Sequence, residues 1–423
     1  MSAYDDIRSA AVQIIERRKL DVQAERELTR AAVTEAVGTY QRQADHGGSK
    51  ALLDPAEMIE RVFHAVADFG PLTDILTDPG VEEIFIEGDR VSSIDGDGRL
   101  HALSRPTTEE ENRRVVDRLL ADTDRHLDVA NPIVQARVLR DSARLTAVMP
   151  PIADRLSVTI RRYALRRETL ASLVELGSMT PPAAGFLWAA TQAKSSIIVS
   201  GPPGAGKTSM LAALIAAIPP GDCLRSCEEV RELHVPIVHG SYYEARPPSL
   251  DGSGAIALRD LVKIILAMRP DRIVVGEVRG AEAFELTRAV NAGCAFSCTV
   301  HANSAREALS ALVNAALMAG ENVTESVVRN VFASSIDFVV HLDRDASVRS
   351  DRGLRRQVME VLSVVPSLHD DFTTEPIFLR DDLGGPLEWT GAFPPDDLTR
   401  RIQRSLPEGM TLRAIFEGRR SPL

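Results

Sequence analysis

The sequence has 423 residues with a formal net charge of -11, and 44% of them are hydrophobic and 26% charged. That length suits two or three cores rather than one, and that balance excludes a disordered chain. Net acidity with only 4% aromatics argues against wholesale binding to nucleic acid or anionic lipid, so protein partners are expected, with no direct nucleic acid among them.

Residues 1–69 place apolar side chains at helical spacing (Ile7, Ala11, Ile14, Ile15; then Ile59, Val62, Phe63, Val66), broken by the polar stretch ADHGGSK. A helical N-terminal appendage is expected there. The start, MSAYDDIRSAAVQIIERRK, has charges in its first turns and no apolar run of signal-peptide length. No later segment approaches a membrane span, so a cytoplasmic location is expected. From residue 70 the texture changes: VEEIFIEG and RVSSIDGDGRLHAL alternate apolar and polar residues between Gly and Asp turn signals, as short antiparallel strands do. TTEEENRRVVDRLLADTDR opens with Thr and acidic residues before an apolar stripe, a helix start, and 136–148 and 157–163 resume the alternation. These patterns predict a small α+β domain over 70–162. Residues 163–182 read as a linker with one short helix, closing on Thr180-Pro181-Pro182. Over 183–345 β-branched runs alternate with helical patterns, which predicts a mainly parallel sheet flanked by helices, and 346–423 reads as a C-terminal extension with one strand-like run, QVMEVLSVV.

Two motifs carry chemistry. Gly201-Pro202-Pro203-Gly204-Ala205-Gly206-Lys207-Thr208, followed by Ser209, is a complete Walker A pattern between a β-branched strand and an Ala/Leu-rich helix. Its glycines let backbone N–H groups turn inward around phosphates, the helix N-terminus adds partial positive charge, Lys207 reaches the β- and γ-phosphates, and Thr208 offers a hydroxyl to Mg²⁺. Downstream, Arg272-Ile-Val-Val-Gly-Glu277 is an apolar strand ending in a carboxylate, as a Walker B strand does, which delivers Glu277 to the phosphate end of the sheet to polarise water or assist Mg²⁺. ATP and Mg²⁺ are therefore the expected ligands. The four cysteines, Cys223, Cys227, Cys294 and Cys298, form two pairs with three residues between partners. Structural zinc knuckles favour two, so they read as reduced core thiols.

The stretch EARPPSLDGSGAIALRDLVKIILAMRPDRIVVGEVRGAEAFELTRAVNAG, with VHANSAREALSAL after it, resembles the Tad/Flp pilus-assembly ATPases of the type II/type IV secretion ATPase superfamily. LDVANPIVQARVLRDSARLTAVMPPIADRLSVTIRRY and GPLTDILTDPGVEEIFIEG extend the likeness upstream, over roughly 70–342. It implies a RecA-like P-loop ATPase domain, preceded by the small α+β domain and the N-terminal helices. It places Glu228 and Glu229 in an acidic box that orders water and Mg²⁺, with Glu229 standing where an Asp is usual, and makes Glu229 a metal candidate beside Thr208. His301 matches the second histidine of a His box whose first is here Cys294. Arg137, Arg144, Arg161 and Arg162 fall where family members reach nucleotide phosphates, and a guanidinium suits that task because its fork is always charged. Arg246, Arg259 and Arg279 lie within the core pattern as candidates for intersubunit contacts or ion pairs. The resemblance further implies a hexameric ring with ATP bound between the two domains of a protomer, hydrolysis driving an inner-membrane platform protein, and a peripheral place at the cytoplasmic membrane through partners. A conjugative or type IV secretion channel ATPase, a RecA-like DNA translocase and a non-catalytic nucleotide-binding ring subunit are the alternatives.

Overall fold

In the computed structural model the chain divides into two units, Met1–Ala164 and Leu165–Leu423. The structure describes residues 3–22, 24–47, 50–96, 98–140, 142–162, 168–248, 252–291, 293–320, 322–350, 353–366 and 372–423. The first part of the expected linker, 163–167, lies outside the described residues.

The first unit opens with α1 (Ala3–Arg18), α2 (Arg26–Asp45) and α3 (Pro55–Ala67), whose apolar faces meet around Ile7, Ala11, Val33, Val37, Val62 and Phe63. Asp54 caps α3 by accepting from the Glu57 N–H, with Pro55 preset for the first turn. A 3₁₀ turn (Gly70–Leu72) and α4 (Thr73–Thr77) lead into β1 (Val81–Glu87), β2 (Arg90–Asp95), β3 (Leu100–Ala102), α5 (Glu109–Leu120), β4 (Ile133–Val138), β5 (Ala143–Val148) and β6 (Ser157–Arg162). The six strands form one antiparallel sheet in the order β3-β2-β1-β6-β5-β4. Alternation puts Ile84, Ile86, Leu145 and Ile160 on one face, where Val115, Val116, Leu119 and Leu120 of α5 cover them. Thr108 and Glu111 form a reciprocal capping box at the start of α5. The leading helices are tied to this sheet domain: Arg61 pairs with the buried Glu111 at 2.7 Å, and Arg118 of α5 donates to the carbonyls of Val66 and Ala67.

The second unit contains α6 (Leu170–Glu175), α7 (Pro181–Gln192), β7 (Ile197–Ser200), α8 (Lys207–Ala216), β8 (Leu224–Glu228), β9 (Gly240–Glu244), α9 (Leu258–Leu266), β10 (Arg272–Val275), α10 (Glu282–Asn291), β11 (Ala295–Val300), α11 (Ala305–Leu317) and α12 (Glu325–Ser335). β12 (Phe338–Ser350), β13 (Gly353–Val365), β14 (Thr373–Leu379), β15 (Glu388–Trp389), α13 (Asp396–Ser405) and α14 (Leu412–Phe416) complete it. Its nine-stranded sheet runs β15-β14-β13-β12-β7-β11-β10-β8-β9. β12, β7, β11, β10, β8 and β9 are mutually parallel, and β13, β14 and β15 turn back antiparallel. The central strands β7 and β10 are buried along their whole length, as continuous β-branched runs require between two helical layers. On one face Ile265, Leu286, Leu309, Leu312 and Phe332 fill the core; on the other, Phe186, Phe338, Phe378 and Phe416 pack ring against ring. Residues 353–423 thus continue the sheet and its cover: β13 pairs with β12, and α13 and α14 pack on α7. Among the described residues no helix is long and apolar enough to cross a membrane.

Candidate nucleotide site

β7 ends at Ser200, and the chain turns through Gly201 (φ 152°), Gly204 (φ 73°) and Gly206 (φ 92°) before α8 begins at Lys207. Gly204 and Gly206 are in the left-handed region, which glycine enters without a Cβ penalty. At Gly201 a Cβ would lie 2.3 Å from the Leu342 carbonyl oxygen, so no other residue fits. The backbone therefore curls tightly at the head of a helix whose first N–H groups have no intrahelical partner, an arrangement suited to anions. Lys207 is buried, and its ammonium donates to the carbonyls of Gly201 (2.9 Å) and Pro202 (3.0 Å).

Parallel pairing brings the other candidates to the same edge of the sheet. β8, β10, β11 and β7 are in register, Cys227 beside Val275, Val275 beside Cys298, and Val300 beside Ser200, so the C-terminal ends of all four strands emerge together. Glu228 with Glu229, Glu277, His301 and the Gly201–Lys207 loop occupy those ends. His301 is the link: its Nδ1 lies 3.2 Å from Lys207 Nζ, and its Nε2 closes on Glu277 Oε1. An ammonium has only protons to offer, so Nδ1 accepts and the neutral ring carries its proton on Nε2, which lies against Glu277 Oε1 without an aligned hydrogen bond to it. Burial, followed by the nearby cations Lys207 and Arg279, pulls the His301 pKa below its ordinary value against the opposing pull of Glu277. Arg279 holds the other Glu277 oxygen at 2.5 Å, and its own loop is fixed by Glu282, which accepts from the N–H groups of Arg279 and Gly280. Thr299 donates to the Gly276 carbonyl at 2.6 Å, fixing the backbone just before Glu277.

The two acidic-box residues part ways. Glu229 is exposed beyond the end of β8. Glu228 is 4% exposed and accepts from the N–H groups of Glu232 and Leu233, locking the segment after β8. Burial pushes its carboxyl up to about 7. Gly276 makes room for it, since a Cβ there would come 2.6 Å from Glu228 Cγ. Thr208 and Ser209 are half-buried in the first turn of α8. Cys294 lies at the opposite end of β11 from His301, with its Sγ on the Pro270 carbonyl.

In the first unit the four arginines separate. Arg137, Arg144 and Arg161 share one rung of β4, β5 and β6, three guanidinium groups side by side on one face. Arg144 donates to Gln135 at 2.9 Å, and Arg161 lies 3.8 Å from Glu83, its neighbour on β1. Arg162 points to the other face, where it donates to the Asp78 carbonyl. Arg259 pairs with the buried Glu285 at 2.9 Å, and Arg246 donates to the Gly254 carbonyl at 2.5 Å.

Several residues at this edge escape sequence reading. Ser200, the last residue of β7, shares a 3.0 Å hydrogen bond with His341 Nδ1 of β12, both buried. Beyond it, Arg344 and Arg356 lie against the loop glycines Gly204 and Gly206. Their signal, a basic residue just past the apolar run Phe338–Leu342 and another before QVMEVLSVV, acquires meaning only once β12 is known to flank β7.

A family model described as Type II/IV secretion system protein matches residues 82–365. The chain belongs to that family. A putative conjugal transfer protein of Mycobacterium tuberculosis is 32% identical over 302 residues, covering 69% of this chain and 83% of the relative. The type IV secretion system protein PtlH of Bordetella pertussis is 31% identical, covering 56% and 76%. Among solved structures the Legionella pneumophila ATPase DotB superposes with a TM-score of 0.51 at 18% identity, over 67% of this chain and 77% of DotB, which supports the RecA-like fold.

Proposed function

We propose that the chain is an ATP-hydrolysing motor of the type II/IV secretion kind. The observation that carries this is the contact chain Lys207–His301–Glu277–Arg279, assembled from the Walker A loop and the ends of two neighbouring strands. The residues fit the nucleotide: a glycine cradle without side chains, an ammonium already engaged with carbonyl oxygens that a phosphate can replace, and a helix N-terminus behind it. They also fit Mg²⁺. Mg²⁺ is ordinarily held by one or two protein oxygens together with phosphates, and Thr208 offers its hydroxyl in the first turn of α8 beside Lys207. Thr208 and Glu229 are the residues that would hold it, and the ion would neutralise phosphate charge.

In this mechanism Lys207 leaves the Gly201 and Pro202 carbonyls for the phosphates. Its shift frees Nδ1 of His301, whose ring lies against one Glu277 oxygen while Arg279 holds the other. Glu277 then takes the proton of the attacking water. Arg137, Arg144, Arg161 and Arg162, which the sequence resemblance puts where family members reach nucleotide phosphates, are proposed for the same task here. Glu228 acts as a positioning residue behind Gly276.

A hexameric ring acting on an inner-membrane platform, in the cytoplasm at the membrane face, is the quaternary form proposed with it. The sequence resemblance favours a Tad/Flp pilus. The conjugal transfer and type IV secretion relatives favour a conjugative or secretion channel, and both stand as readings of the same motor. Steady-state ATPase assays across a size-exclusion profile test the proposal: turnover should peak in a ring-sized fraction and fall about 10²-fold or more in Lys207→Ala and Glu277→Gln. Nucleotide binding without turnover in any oligomer would leave only a nucleotide-binding ring subunit.

A further inference from the structure

The Walker A loop has a second cationic wall, supplied by the hairpin of β12 and β13. β12 pairs with β7 as far as His341 beside Ser200; β7 then turns into the loop while β12 continues through a bulge at His341/Leu342. Leu342 and Arg344 consequently travel along the loop's flank. The fit is close: a Cβ on Gly201 would meet the Leu342 carbonyl oxygen at 2.3 Å, and a Cβ on Gly204 would meet Arg344 Nη1 at 2.7 Å and its Cζ at 3.4 Å. The Arg344 guanidinium therefore rests on the bare backbone at the loop's tip. Arg356, directly opposite Arg344 in the β12–β13 register, lays its stem 3.7 Å from where a Gly206 Cβ would be.

Arg344 and Arg356 set two cationic side chains opposite each other across the hairpin. Asp343 Oδ1 accepts from the Arg344 backbone N–H at 2.7 Å. The loop that Arg344 touches gathers backbone N–H groups, themselves positive, so the site concentrates positive charge from three sources: Lys207, the loop and helix N–H groups, and the hairpin. From this geometry we infer that Arg344 and Arg356 bind the phosphates of the nucleoside triphosphate from the β12–β13 side. The inference rests on the nucleotide-site reading. It gives the C-terminal hairpin a part in ligand binding, and it adds to the left-handed backbone at Gly204 a second demand for glycine, since a side chain there would meet the guanidinium.

The test uses the full chain and fluorescent mant-labelled ATP, ADP and AMP. Arg344→Gln keeps length and removes charge; Arg344→Lys keeps charge. A charge-assisted contact to phosphate predicts that Arg344→Gln weakens mant-ATP binding about tenfold or more, mant-ADP less, and mant-AMP least, with Arg344→Lys recovering part of the loss. Arg356→Gln should show the same ordering. A brace that merely shapes the loop would lower all three affinities alike and would not be rescued by lysine, and that result, or wild-type affinities in both Gln variants, overturns the proposal. The underlying reading fails separately: wild type would then not bind mant-ATP, or would bind it equally well as Lys207→Ala.

Discussion

At the scale of single residues, Glu228 and His301 sit on the same edge of the sheet with opposite proton preferences. Glu228 holds its proton up to about 7 because it is buried, while the unfolded chain releases it near 4.5. Between those values the folded state binds more protons than the unfolded one, so this group's contribution falls as pH rises, by about 3 kcal/mol across the window. Glu228→Gln keeps a carbonyl for the Glu232 and Leu233 N–H groups and cannot ionise. Urea denaturation at pH 5 and pH 8 should show the variant gaining on wild type by a few kcal/mol at the higher pH; a pH-independent difference would show that Glu228 is ionised in place. For His301 the folded pKa lies below the ordinary 6.5. Acidification through that lowered value protonates Nδ1, which then cannot accept from Lys207. The pH profile of kcat/KM should carry an acid limb that disappears in His301→Asn, alongside a loss of about 10²-fold typical of a disturbed general base.

At the scale of elements, β10 is held at both ends by different means. Its start, Arg272, is 5% exposed and donates to Asp222 at 2.7 Å and to the Thr191 carbonyl at 2.6 Å, while Lys194 bridges Asp222 and Asp271. Removing the partner of a buried guanidinium leaves an uncompensated charge, worth roughly 3–5 kcal/mol. Asp222→Ala should lose that much by urea denaturation, while Glu277→Gln at the other end should barely change stability; equal losses would mean that the Glu277 end is also structural. The Walker A loop, the β10 strand and the helix caps were legible in the sequence because their signals are local: a glycine spacing, a β-branched run, a Thr three residues before a Glu. Register is not local. The rung that aligns Arg137, Arg144 and Arg161 and turns Arg162 away, and the contact of Gly204 with Arg344, 140 residues further on, depend on which strands become neighbours. The segment 346–423 reads as a C-terminal extension for the same reason: the pairing of β13 with β12 is invisible until β12 has been placed beside β7.

At the scale of the whole molecule, the two units each own a sheet and a core. Every strand pairing of the six-stranded sheet lies within Met1–Ala164 and every pairing of the nine-stranded sheet within Leu165–Leu423. Buried apolar clusters divide the same way, with Ile84, Leu145 and Ile160 in one and Val199, Phe338 and Phe378 in another. Units that bury their own apolar faces fold as separate cooperative blocks, so residues 165–423 expressed alone should unfold in a single transition. That fragment contains Lys207, Glu277, His301, Arg344 and Arg356, and it should bind mant-ADP in a Lys207-dependent manner. Any shortfall in affinity against the full chain then measures what residues 1–164 add, and repeating the comparison with Arg144→Ala in the full chain assigns that share to the guanidinium row or removes it. A fragment that folds and binds as tightly as the full chain would confine the nucleotide site to the second unit and leave Arg137, Arg144 and Arg161 to another anion.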